Sequence, residues 1–282
     1  MDHARETALA FGLLLVVFSP LERLFPAHRQ PVLRREWGTD LLFFLGQYLL
    51  FTAPVVGALT WVHASAGALP LGGLRAGVAA LPLAAQLVLV VALCDVGIYW
   101  AHRWSHTNRF LWRFHRVHHT AETIDWLAAY REHPLDNLYT RLVENLPAML
   151  LGFPLEYLAG FAVFRGLWAL YIHSNVALMP GPLRYLLGGP RLHHWHHARS
   201  HHSRVNFANL SPLCDLAFGT YFDPGEFPRR YGVRDGERRG YVGQLVEPIV
   251  PRATLDALAP RGAARRVEPA SFAAERRAGA GS

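Results

Sequence analysis

Three long apolar runs set the first limit on what this chain can fold into. Leu41–Val62, LLFFLGQYLLFTAPVVGALTWV, carries no charge over 22 residues. About 20 apolar residues cross the hydrocarbon core of a bilayer as a helix. Leu81–Ala101, LPLAAQLVLVVALCDVGIYWA, is a second run of that length and holds one acid, Asp95. Leu142–Ile172 is longer, but Gly152-Phe153-Pro154 interrupts it, and proline with glycine breaks a helix. Each half is short for a full crossing, so this segment is expected to be a hairpin that enters the membrane and returns. The N-terminal ETALAFGLLLVVFSP is read as a retained membrane segment over about 7–19, because its flank is weakly charged and no small-residue cleavage site follows. The expected fold class is all-α: an integral membrane helical bundle with a histidine-rich helical cap.

Composition narrows the partners. Half of the 282 residues are hydrophobic, yet the mean hydropathy is only +0.13. That mixture suits a few membrane segments joined to a sizeable polar part. The formal net charge is +7 and every fixed side-chain cation is arginine. Beside such apolar runs, anionic lipid headgroups are the expected partner and nucleic acid is not. The two cysteines, Cys94 and Cys214, lie in unrelated segments without a CxxC, which indicates neither a zinc ribbon nor a disulfide framework. From about residue 252 the chain reads as a basic, disordered tail. The loop 20–40 carries Arg23, Arg29, Arg34 and Arg35, whereas 63–80 carries only Arg75. Arginine stays on the cytoplasmic side. The 81–101 helix then delivers His102 to the cytoplasm, and the hairpin returns His173 and the residues after it to the same face.

Histidine is concentrated there. HRWSHTNRFLWRFHRVHHT, residues 102–120, contains five histidines, and HHWHHARSHH, residues 193–202, contains six. His102 and His106 are spaced i, i+4, which places them on one helical face. Asp95 and Tyr99 extend that face back into the membrane, and the 81–101 helix is expected to run unbroken through His106. His115, His118 and His119 are spaced i, i+3, i+4, again one helical face, and His193, His196 and His197 repeat the pattern. Neutral imidazole is the commonest metal ligand and suits iron, zinc, copper or nickel. Eight motif histidines and the isolated His173 exceed the needs of one four-coordinate zinc. They suit two metals with four or five ligands each. HExxH is absent, and no glutamate has a histidine three residues on, so neither a zinc protease nor a carboxylate-bridged bundle is indicated.

The order HxxxH, HxxHH, lone histidine, HxxHH resembles the membrane-bound fatty acid hydroxylase/sterol desaturase superfamily. DVGIYWAHRWSH is similar to that family's approach to its first box, REHPLD to its HP segment, YIHSN to its lone-histidine segment, and NFANLSPLCDLAFGTYF to its ending. The resemblance covers about 85–225. It implies a non-haem di-iron centre of two iron ions that activates O2 and hydroxylates, desaturates or cleaves a lipid at an unactivated carbon. The implied ligands are His102, His106, His115, His118, His119, His173, His193, His196 and His197. His133 matches the HP histidine and ranks lower, as a residue supporting the ligands. Positions 169 and 177 are alanine, so the third box has a single histidine, as in the sterol-desaturase and ether-lipid-oxygenase branches.

Asp95 is expected to support a ligating histidine from another segment, because carboxylates commonly accept the second N–H of a metal-bound imidazole. His194, His201 and His202 fall outside the motif and are expected at the surface or behind the ligands. His3, His28 and His63 are taken as loop residues. The expected organisation is 1–80 as N-terminal membrane helices, 81–225 as the oxygenase domain with its hairpin, and 226–282 as a C-terminal extension. The chain contains no dinucleotide-binding motif or iron–sulfur motif, so electrons are expected from an external ferredoxin or a cytochrome with its reductase. The lipid substrate is expected from the bilayer, and the location is a bacterial inner membrane with the histidines facing the cytoplasm. The competing class is a non-catalytic histidine-rich protein that stores or moves metal. A transporter needs charged residues deep in several spans, and Asp95 is the one such residue expected.

Overall fold

The computed structural model describes residues 3–179, 181–200, 204–233, 240–250 and 254. These are mostly helical, with two isolated bridges, Pro26 to Val176 and Ala198 to Tyr231, and no strand among them. His201, His202 and nearly all of the expected basic tail lie outside the described residues. The chain divides into two units, Met1–Leu245 and Val246–Ser282, so the N-terminal helices and both histidine clusters belong to one unit.

The helices are α1 (His3–Leu24), α2 (Trp37–Gly46), α3 (Thr52–Gly67), α4 (Gly72–Ala79), α5 (Leu83–Thr107), α6 (Arg109–His115), α7 (Pro134–Leu150), α8 (Leu155–His173), α9 (Pro190–His196), α10 (Leu213–Ala217) and α11 (Tyr241–Val246). A π-helical turn, Gln47–Phe51, joins α2 to α3 without a break. Pro54 explains it, since proline has no N–H for Leu50 and its ring crowds that carbonyl. Among the described residues, four segments are long and apolar enough to cross a membrane: His3–Leu24, Trp37–Gly67, Leu83–Thr107 and Leu155–His173. As expected, α5 continues past Ala101 through His106. It stops at Thr107 because Asn108 turns extended, and the Asn108 Oδ1 caps α6 by accepting from Phe110 N at 2.8 Å and Leu111 N at 3.2 Å.

The expected pair of short half-spans over 142–172 is corrected. The first arm begins earlier, at Pro134, where proline suits the first helical turn, and the second is a 19-residue helix able to cross alone. The break falls where expected, at Gly152, whose φ is +79°. Arg75 closes this end of the bundle. Its guanidinium donates to the carbonyls of Ala66 at 2.5 Å, Gly67 at 2.9 Å and Leu150 at 3.2 Å, which are carbonyls that helix ends leave unpaired. Asp95 is also not the one ionisable group at depth: Arg165 on α8 is buried and pairs with Glu144 of α7.

At the opposite end the four spans meet the histidines. The loop after α1 pairs with the loop after α8, with Ala27 N donating to Asn175 O at 3.0 Å and Ala177 N to Phe25 O at 2.7 Å. Arg34 is buried there rather than solvated. It donates through Nε and Nη2 to Asp125 at 2.6 and 2.5 Å and through Nη2 to Asp40 at 2.6 Å. Arg131 completes the network through Asp40 at 2.5 Å and Glu36 at 3.0 Å. Each carboxylate of this desolvated cluster has a cation, which is the condition for tolerating buried charge.

One core lies between α5, α7 and α8, around Val90, Cys94, Met149 and Phe161, and a second around Phe18, Phe44, Trp126 and Leu170. Gly97 permits the close approach of α5 to α7, since a Cβ there would lie 2.7 Å from Glu144 O and 2.9 Å from Glu144 Cα. Gly97→Ala is therefore expected to cost about 1–3 kcal/mol, as overpacking does. A thermal melt in detergent checks this. A midpoint equal to wild type would show that the two helices can separate freely.

Candidate metal centre

The described residues hold two groups of histidines whose ring nitrogens lie within 4.8 Å of one another in each group. One is His102, His106, His115, His119 and His196, and the other is His118, His173, His193 and His197. α5 supplies the first pair. α6 ends at His115, and a 3-10 turn, His118–Thr120, carries the next two. The expected single helical face is thus broken, and His118 parts from His115 and His119. α8 ends on His173, while α9 supplies His193 and His196 and is capped by His197.

Backbone and carboxylate acceptors fix the rings from behind. Nδ1 faces a carbonyl oxygen in His102 (Phe207, 2.7 Å), His118 (Arg131, 3.1 Å), His173 (Ala169, 2.7 Å) and His196 (Val205, 2.8 Å). In His115 it faces Asp136 Oδ2 at 2.9 Å. A carbonyl only accepts, so each of these Nδ1 atoms carries the proton and each Nε2 presents a lone pair. Those lone pairs point inward. The Nε2–Nε2 separations are 3.2 Å for His115–His119, 3.1 Å for His119–His196, 3.0 Å for His118–His173, 2.9 Å for His173–His193 and 3.0 Å for His193–His197. His102 Nε2 and His106 Nε2 are buried with no hydrogen-bond partner.

Lone pairs this close repel unless a cation lies between them. A bond of about 2.1 Å from imidazole to a metal, the length zinc shows, sets neighbouring ligand atoms about 3.0–3.4 Å apart at right-angle to tetrahedral bond angles. The observed separations fall in or beside that range. The protonation state also fits. Burial pushes the His115 imidazole down to about 3 and His118 to about 4. Burial first, then the neighbouring imidazoles, holds His119, His193, His196 and His197 well below the usual histidine value. The donor set is neutral, nitrogen-only and dry, which suits iron, zinc or copper.

Known proteins resemble this chain in sequence. Residues 87–220 match the fatty acid hydroxylase family model. The chain is 31% identical over 173 residues to an ornithine lipid hydroxylase of Rhizobium tropici, covering 60% of this chain and 51% of that protein. It is 33% identical over 128 residues to an alkylglycerol monooxygenase of Homo sapiens, covering 45% and 28%. It is 32% identical over 171 residues to a Delta(7)-sterol 5(6)-desaturase of Gibberella zeae, covering 58% and 46%. Residues 87–220, a little under half of the chain, are thus similar to a fatty acid hydroxylase domain. The chain spans about half the length, or less, of these curated relatives. No solved structure matches it.

The remaining expected residues lie as follows. Asp95 does not meet a histidine. Its carboxylate accepts from Leu210 N at 3.2 Å and Ser211 N at 3.1 Å, because the 205–211 segment lies between α5 and the second histidine cluster. The carboxylate behind a ring is Asp136, which the sequence reading missed although it stands three residues after His133. His133 itself is turned away: Nδ1 accepts from Leu135 N at 3.1 Å and caps α7, and Nε2 faces Leu245 O at 3.0 Å. His194 is fully buried behind the cluster, between Ser174 O at 3.1 Å and the Tyr231 hydroxyl at 2.8 Å. Of the presumed loop histidines, His28 is in a loop, but His3 starts α1 and His63 lies within α3.

Neutral buried imidazoles make the metal-free domain sensitive to acid. Below its ordinary pKa near 6.5 a histidine in the unfolded chain takes up a proton that His115 and His118 refuse until about 3 and 4. Stability is therefore whole above that value and falls as pH drops toward 4, by up to about 1.4 kcal/mol per pH unit per imidazole. Thermal melts of chelator-treated protein between about pH 7.5 and about pH 5.5 should show a steep fall in midpoint. A flat profile would contradict the neutral assignment.

Proposed function

We propose that this chain is a membrane-bound non-haem di-iron oxygenase that uses O2 and external electrons to hydroxylate or desaturate a lipid. The observation that carries the proposal is the pair of neutral, buried imidazole groups at the end of membrane-crossing helices. The ligands are His102, His106, His115, His119 and His196 for one iron and His118, His173, His193 and His197 for the other. The oxygenase unit occupies about 81–225. The substrate is a sterol, a fatty acyl chain or a related apolar lipid drawn from the bilayer. Relatives named as lipid hydroxylases, monooxygenases and desaturases favour this reading over a non-catalytic metal store.

Iron held in both groups would supply the O2-activating redox chemistry that side chains lack. The rest is the work of this chain's own residues. Asp136 and the carbonyls of Phe207, Arg131, Ala169 and Val205 hold five rings in the Nδ1-protonated tautomer, so no reorientation is needed when metal binds. Trp112 lies 5.0 Å from the His106 ring and Phe207 5.3 Å from it, centre to centre. These rings form an apolar wall that excludes water. Hydroxylation consumes one O2, two electrons and two protons per C–H bond and yields an alcohol and water. The electrons come from a ferredoxin or a cytochrome with its reductase, docking on the arginine-rich face. That face is cytoplasmic, in a bacterial inner membrane.

Elemental analysis of protein purified from iron-supplied cells should approach two irons per chain. His118→Ala and His196→Ala strike different groups, so each should lose about one iron. Retention of both irons in either variant would overturn the ligand assignment. Lipid addition to the reduced holoprotein should drive O2 consumption, and iron binding without it would favour the metal store. Asp136→Asn keeps an acceptor for His115 but supplies less basicity. It should retain iron and turn over about 10–100-fold more slowly, the usual range for such partners.

A further inference from the structure

A cavity of about 320 Å³ opens beside the loop that follows α1, lined in part by Glu22, Arg23, Arg29, Trp126 and Asn175. Arg23 stands in the last turn of α1, a helix long and apolar enough to cross the membrane. The cavity therefore lies where a crossing helix leaves hydrocarbon, the level of headgroups and of interfacial tryptophan. Its volume is at the lower end of ligand pockets. That is too small for a whole lipid and adequate for a polar head. Asn175 is two residues beyond His173, which an extended chain covers in about 7 Å, so the cavity adjoins the histidine cluster.

Its charges are not all satisfied. Asp125 is neutralised by Arg34 through both oxygens. Glu22 uses Oε1 alone, accepting from Trp126 N at 2.8 Å and Asn175 N at 2.9 Å, and its Oε2 makes no hydrogen bond to a described residue. Arg23 and Arg29 are exposed and pair with no carboxylate among the described residues. The wall thus offers one free carboxylate oxygen and two free guanidinium groups. An anionic head would leave Glu22 uncompensated beside it. A cationic head would meet the two arginines. A head with both an ammonium and an anion answers each, and guanidinium binds carboxylate or phosphate in paired hydrogen bonds.

We propose that this cavity binds the zwitterionic headgroup of a lipid, with the ammonium on Glu22 and the anion on Arg23 and Arg29. The assignment rests on reading the chain as a lipid-acting membrane protein, and it names the class of head that the protein selects. Native mass spectrometry of the full holoprotein, exchanged against equimolar phosphatidylethanolamine, phosphatidylglycerol and diacylglycerol, tests it. Wild type should retain phosphatidylethanolamine over both others by about fivefold, a charge-pair effect of ordinary size. Glu22→Gln keeps an oxygen for Trp126 and Asn175 but no charge, so it should equalise the two phospholipids. Arg23→Gln with Arg29→Gln should bring both down to the level of diacylglycerol. Equal retention of all three lipids by wild type, a preference for phosphatidylglycerol, or an unchanged ratio in Glu22→Gln would each overturn the proposal. Iron content, measured on the same samples, should match wild type in every variant. Lipid retention needs no turnover, so the headgroup site and the oxygenase reading stand or fall by separate measurements.

Discussion

The Nδ1–H of a buried imidazole donated to an oxygen behind it is the interaction on which the rest of this structure depends. It decides the tautomer, the tautomer decides that Nε2 carries a lone pair, and the fold then brings two such lone pairs, those of His118 and His173, to 3.0 Å from one another. Uncharged donors converging in a dry interior are a poor arrangement for an empty protein. Each loses its water and gains no partner, a cost that a metal ion offsets. The folded state therefore tolerates, for the sake of the centre, a cluster that sequence-level rules for a stable core would reject.

The acceptors behind the rings are themselves held from a distance. Arg131 offers its carbonyl to His118, while its side chain lies in the ion network with Asp40 and Glu36 from the N-terminal segment. Phe207 offers its carbonyl to His102. Its own N–H is held by Asp215, which also accepts from Ala208 N at 3.0 Å and from the Thr220 hydroxyl at 2.7 Å. Asp95 fixes the same segment two and three residues further on. The N-terminal helices thus brace the centre through ordinary charge pairing, although they contribute no histidine to it. Asp95 acts on His102 through the loop between them.

What the sequence made legible follows from which signals are local. Apolar length gave the α2–α3 and α5 spans, and Gly152-Phe153-Pro154 gave the break between α7 and α8, because hydrocarbon thickness and proline geometry act within one segment. Histidine spacing and order gave the nine residues that converge. The partners were not legible. Asp136 looks like any acid in a first helical turn, and its contact with His115 spans 21 positions of chain that only the fold closes. Asp95 was misassigned because helix rise placed it within reach of a second segment without saying which atoms of that segment would arrive. Backbone N–H groups arrived. Arg34 was counted as a topological charge, and burial against Asp125 and Asp40 made it a structural one.

The HxxHH spacing acquires a meaning from the way the two groups divide it. In the first copy the i and i+4 histidines, His115 and His119, go to the five-membered group and the i+3 histidine, His118, goes to the other. In the second copy the division is reversed: His193 and His197 go to the four-membered group and His196 crosses over. On a helix, as in α9, positions i+3 and i+4 fall to opposite sides of position i, and in the first copy the break between α6 and the 3-10 turn separates His118 from His115 and His119. Each copy therefore gives two donors to one group and one to its neighbour. Neither group is built from one segment, and each motif spans both. A displacement of either motif by a fraction of an ångström must disturb both groups together. Such a design couples the two histidine groups to each other through rigid backbone. That is how a chain without a suitably spaced glutamate can still set two groups of nitrogen donors side by side.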